Sequence, residues 1–271
     1  MGSFINVCIY RIPAGQSILR PTSRCRACGQ PIPPHLNLPV LAWIFLRGKA
    51  RCCGAPISIR YPFVEFLTAA LFLASWLGLP PLLALIGWLW IFIALCVAFI
   101  DLDHMVIPDR FSIGGLLAGL VLSVIFPALH GVESPFALLG SIRGFFNGLT
   151  GALIGSSIIL WIMVLGELVL RKEALGFGDV KLMGAIGAFC GWQGSVFSLF
   201  AGAILGTVVL GLLQIIHAII PLKREGGAPE GFLGKKVPFG PFLAGASLLY
   251  YLFLSPLVDA YFTSLAWVAK G

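Results

Sequence analysis

"LWIFIALCVAFI" (residues 89–100) runs without a break into "DLDHMVIPD" (residues 101–109). The first stretch closes an apolar run that begins at residue 81. A helix needs roughly 20 apolar residues to cross a bilayer, and this run supplies them. The second stretch opens with a carboxylate at the end of that span. A carboxylate beside a membrane is costly unless something uses it. The pair of stretches therefore sets both the fold class and the question of function.

The rest of the chain repeats the pattern. Further apolar runs lie near 62–79, 112–129, 147–170, 180–192, 195–220 and 238–257. Of 271 residues, 59% are hydrophobic and only 11% charged, with a mean hydropathy of +0.99. A soluble domain carries about a quarter charged residues. The expected fold is therefore all-α and polytopic, with about eight transmembrane helices. The first is truncated: "MGSFINVCIYRIP" is too short to cross. The run at 180–192 is short and glycine-rich, hence a weak span by itself. The stretch 134–146, "SPFALLGSIRGFF", has the pattern of an interfacial amphipathic helix.

The net charge of +7 does not point to nucleic acid, because the basic residues lie in the gaps between apolar runs. With 11–61 placed in the cytoplasm, 18 lysines and arginines sort almost completely. All but Arg143 and Lys270 fall on the cytoplasmic side, as the positive-inside rule demands. The division expected is a partial first helix at 1–10, a cytoplasmic cysteine segment at 11–61 and a membrane domain at 62–271.

The same threading brings two acids to one depth. Asp101 and Asp103 end the third span, and Asp179 of "GFGDVK" (residues 176–181) opens the sixth, also at the cytoplasmic face. Two carboxyl groups sharing a site do not readily both ionise. One can then take a proton from water while the other gives one to a scissile carbonyl, as in aspartic proteases. Gly176 and Gly178 lack Cβ atoms, so an extended substrate strand can approach closely there. Singly, each acid also reads as a helix cap or headgroup neighbour. Asp103 and Asp109 fit that second reading better, His104 fits a solvated interfacial histidine, and Glu65 after "RYPFV" is either functional or a partner for Arg60.

Four of seven cysteines cluster in two pairs, Cys25 and Cys28 in "CRAC", then Cys52 and Cys53 in "RCCG". Paired cysteines at such spacing in a reducing compartment read as a structural zinc site. Zinc would stabilise a segment too small for a sizeable core. Adjacent cysteines make an awkward chelate. Either both bind, or Cys53 alone binds and His35 or water completes the shell.

The ordered motifs "GSFINVCIYRIP", "CRAC", "RGKARCC", "RYPFVE", "DLDHMVIPD", "GFGDVKLMGAIGA" and "PFGPFLAGA" resemble those of the type IV prepilin peptidases of pilus and type II secretion systems. These are GxGD intramembrane aspartic proteases and N-methyltransferases. The resemblance implies catalytic aspartates at Asp101 and Asp179, surrounded by Gly176, Gly178 and Lys181, with Asp103 and Glu65 nearby. It implies cleavage of the basic leader of a prepilin or pseudopilin after glycine, in the bacterial inner membrane. It also implies methylation of the new N-terminus with S-adenosylmethionine, tied to the Gly2, Ser3, Asn6 region. The implied zinc cysteines are Cys25, Cys28 and Cys53. Ala50 falls where another is expected, with Cys52 as stand-in. The family pattern also calls for a longer first span than these opening residues supply. Rival readings are a presenilin-like or preflagellin peptidase, which the cysteine segment opposes, and a proton-coupled transporter using Asp101 and Asp179 as relays. A non-catalytic assembly factor is a third.

Overall fold

The computed structural model describes residues 1–20, 24–25, 27–33, 38–171, 175–219 and 237–268. Arg26, His35, Lys172, Lys223, Arg224, Lys235, Lys236 and Lys270 lie outside the described residues. The chain divides into two compact units, 1–100 and 101–271. Among the described residues it is helical, with isolated bridges but no strand.

The first unit holds α1 (Gly2–Arg11), α2 (Leu41–Phe45), α3 (Arg60–Gly78) and most of α4 (Pro81–His104). Glycine lets α1 lie directly on α3: a Cβ on Gly2 would sit 2.7 Å from the Glu65 Cα. Asn6 Nδ2 donates to the Tyr61 carbonyl at 3.2 Å. The Trp88 indole donates to the Phe72 carbonyl at 3.1 Å, and the two rings stack at 5.1 Å. Satisfying polar groups across helices in this way matters in lipid, where water is absent.

The second unit holds the last turn of α4 from Asp101, then α5 (Asp109–Ile125), a 3-10 turn (Pro127–His130), α6 (Ala137–Leu170), α7 (Phe177–Ile219), α8 (Gly240–Leu249), a π-helical stretch (Tyr250–Leu254) and α9 (Ser255–Val268). Lipid tails are as apolar as leucine, so helices associate here through close backbone packing. A Cβ on Gly151 of α6 would run into the Gly187 carbonyl of α7, and the reverse holds as well. Ser156 adds a hydrogen bond to the Val180 carbonyl at 3.1 Å.

The 43 residues of α7 are not one rod. At Gly191 φ is 69° and ψ −175°, a conformation that only glycine adopts without strain. The two arms, 177–190 and 192–219, fold back on each other. Gly155 of α6 meets Met183 of the first arm and Ser195 of the second, while Gly202 and Gly206 return to Phe242 at the start of α8.

Among the described residues, five helices are long and apolar enough to cross a membrane by length and composition; α1 has 10 residues, α5 has 17, and both arms of α7 fall within one of the five, so the eight expected spans are recovered only in part. One expectation changes. The stretch 134–146 is not a separate interfacial helix. From Ala137 it is the first part of α6, which continues for 34 residues because nothing in it breaks the helix.

Candidate active site

The second unit places Asp101 and Asp179 in one site. Asp101 lies in the last turn of α4. The helix ends just beyond, where the Met105 amide returns to the Asp101 carbonyl at 2.8 Å and Met105 takes φ 53°. The chain then turns at Val106–Pro108, and α5 starts after an extended Pro108. Asp179 lies in the first turn of α7, where helix dipole and free amides favour an acid. The Asp179 amide donates to the Gly176 carbonyl at 3.0 Å, and its side-chain Oδ2 accepts from the Gly176 amide at 3.2 Å.

Both carboxyls are buried: Asp101 is 5% exposed and Asp179 is 7%. Acids are almost never so buried without a reason. They lie within electrostatic reach of each other. The Ile107 side chain packs at the join. Its Cβ lies 3.1 Å from where a Cβ on Gly178 would be, and its Cδ1 3.1 Å from where one on Gly240 would be.

Gly240 brings a third segment that the sequence reading did not single out. Its amide donates to Asp101 Oδ2 at 3.0 Å. The signal was present in "PFGPFLAGA", but a backbone donor has no side chain to announce it. Lys181 does not reach the pair's charge directly; its ammonium meets Asp109 Oδ1 at 2.6 Å and lies over the Phe177 ring at 5.4 Å. Asp103 and His104 are exposed.

Glu65 is engaged inside the first unit. Its Oε1 accepts from the Ser3 hydroxyl, and its Oε2 accepts from the Val40 amide at 2.8 Å. Gly2, Ser3 and Asn6 thus form the joint between α1 and α3. Ser3 and Asn6 each give one donor to the protein, to Glu65 and to the Tyr61 carbonyl, while the Asn6 side-chain oxygen and the Ser3 hydroxyl oxygen are acceptors of the kind a methyl donor's amino group could use.

The cysteine segment does fit a metal. Cys25, Cys28, Cys52 and Cys53 offer sulfurs all within 4.8 Å of one another. Sulfur separations are 3.7 Å for Cys25–Cys53, 3.2 Å for Cys28–Cys52 and 3.9 Å for Cys52–Cys53. A zinc tetrahedron with bonds near 2.3 Å has edges of roughly 3.8 Å. Two matching turns bring the thiols together. The Cys25 amide donates to the Gln30 carbonyl and the Gly29 amide to the Cys25 carbonyl, both at 2.8 Å. The Ala50 amide donates to Ala55 and the Gly54 amide to Ala50, again at 2.8 Å. Ala50 therefore occupies in the second turn the place of Cys25 in the first, and Cys52 supplies the missing sulfur. Backbone amides of Cys28 and Ala27 pull the Cys25 thiol down to about 6. Cys28, followed by Cys25, pushes Cys52 up to about 12.

Comparison with known proteins agrees with this architecture. Residues 1–79 match the Bacterial Peptidase A24 N-terminal domain and residues 88–211 the Type IV leader peptidase family. A prepilin leader peptidase/N-methyltransferase of Aeromonas hydrophila is 32% identical over 97% of this chain and 91% of its own. One of Dichelobacter nodosus is 34% identical over 93% and 88%. One of Myxococcus xanthus is 39% identical over 80% of this chain, which spans only 60% of that relative's length. No solved structure matches the chain. The chain belongs to the type IV leader peptidase family.

Proposed function

We propose that this chain is a membrane-embedded aspartic peptidase that removes the basic leader of type IV prepilins or pseudopilins, cutting after glycine at the cytoplasmic face of the bacterial inner membrane. The observation that carries the reading is the meeting of two buried carboxyls, Asp101 and Asp179, each braced by a glycine amide. A water between them would lose its proton to the ionised acid as its oxygen attacks the scissile carbonyl. The protonated acid would give its proton to that carbonyl oxygen. As the tetrahedral intermediate collapses, the first acid gives the proton it took from water to the leaving amine and the second takes back the hydroxyl proton as the carbonyl re-forms, so both acids end as they began.

The lipid bilayer holds the substrate's apolar helix beside the spans, while its cationic leader stays in water. Asp103, exposed and two residues from Asp101, would meet that leader. Zinc on Cys25, Cys28, Cys52 and Cys53 would tie the two turns of the cysteine segment together without taking part in hydrolysis. The relatives' names carry a second activity, and we extend it to this chain: methylation of the new N-terminal amine with S-adenosylmethionine as donor. The relay-transporter reading finds no support, since the family shown is a peptidase family.

The test uses detergent-purified protein and a prepilin. A shortened product is expected from the natural chain and none from Asp101→Ala or Asp179→Ala. Continued cleavage by either variant would reject the paired-acid reading.

A further inference from the structure

Each acid of the pair has one oxygen held by a backbone amide. Gly176 N–H holds Asp179 Oδ2 and Gly240 N–H holds Asp101 Oδ2. The first contact is local to one helix end. The second joins segments 139 positions apart in the chain. The approach at Gly240 leaves no room for a side chain: a Cβ there would lie 2.7 Å from Asp101 Oδ2 and 3.1 Å from Ile107 Cδ1. A carboxylate with one oxygen held by an amide and packed this closely is restricted in rotation, which biases where its second oxygen points.

We propose that Gly240 is a positioning residue for hydrolysis. Its amide fixes Asp101 through Oδ2 and leaves Oδ1 of Asp101 and Oδ1 of Asp179 as the oxygens that exchange protons with water and substrate. The proposal rests on the paired-acid reading. A displacement of about 1 Å at a reacting group can cost on the order of 100-fold in rate.

The experiment measures single-turnover cleavage and KM of purified full-length protein on a prepilin. Gly240→Ala is expected to lower the rate about 100-fold with KM nearly unchanged. Gly245→Ala, on the same helix but facing open space, should leave both unchanged. Adding Ile107→Ala to Gly240→Ala relieves crowding by isoleucine but not the conflict with Asp101, so the rate should stay low. Near-natural rates in Gly240→Ala, or recovery in that double variant, overturn the proposal. If Gly240→Ala does not accumulate, thermal midpoints read the same contact. Asp101→Ala/Gly240→Ala should then be as stable as Asp101→Ala, and an undiminished loss overturns the proposal. Cleavage by Asp101→Ala would instead sink the paired-acid reading, which separates the two failures.

Discussion

Replacing one carboxyl by its amide is the sharpest test at the scale of a residue. Asn at 101 or 179 keeps the volume and can still accept the glycine amide, but it neither takes nor gives a proton. Cleavage should fall at least ~1000-fold in Asp101→Asn or Asp179→Asn, since a positioned acid or base contributes about 100- to 10,000-fold. Thermal midpoints should move little. A second residue-scale expectation concerns His130, which closes the 3-10 turn after α5. Its Nε2 is 2.8 Å from Ser123 Oγ, which itself donates to the Gly119 carbonyl at 2.8 Å. Burial holds the imidazole down at about 4, against about 6.5 when free, and the Ala188 carbonyl opposes this only partly. Below the free value the unfolded chain takes a proton that the folded one refuses. Stability is therefore full above about 6.5 and declines as pH falls toward about 4, by on the order of 3 kcal/mol at most. Midpoints measured across that window should fall for the natural chain and fall less for His130→Gln. The acids were readable because acids are scarce in an apolar chain. Gly240 was not, because its contribution is an amide that every residue but proline has.

Elements show why spacing alone misleads. The second cysteine pair looked like a poor chelate because neighbouring side chains diverge on a regular strand or helix. The chain there is neither: Gly54 takes φ 70°, and the turn that it closes aims Cys52 and Cys53 to within 3.9 Å. The match of Ala50 to Cys25 makes a testable swap. Cys52→Ser should lose zinc by elemental analysis, and Ala50→Cys/Cys52→Ser should regain it, because the restored thiol stands where Cys25 stands in the first turn. Loss in both would show that Cys52's own position matters. The break in α7 was half legible. Its glycines marked a weak span, but only the backbone shows that residue 191 reverses the chain. Gly191→Ala forces a side chain into φ 69° and should cost roughly 1–3 kcal/mol, read as a lowered midpoint.

For the molecule as a whole, hydropathy reads composition along the chain and not the partners of each helix. It separated the membrane class at once, yet length and hydropathy alone recover only five candidate spans, because α5 is short and α7 doubles back within one apolar stretch. Charge is the better guide to orientation, since the membrane itself sorts lysine and arginine. The threading read from the sequence puts all but Arg143 and Lys270 of the 18 basic residues on the side expected to receive the cysteine segment and the 103–110 connection. Glu133, exposed in the turn between the 3-10 helix and α6, is expected on the other side by the same threading. An impermeant maleimide applied to sealed vesicles after zinc chelation should label Cys25, Cys28, Cys52 and Cys53 only when the vesicles are inverted. A cysteine introduced by Glu133→Cys should be labelled only when they are right-side-out. Both labels on one side would overturn the threading itself, and with it the argument that brings Asp101 and Asp179 to the face where the basic leader of a prepilin lies.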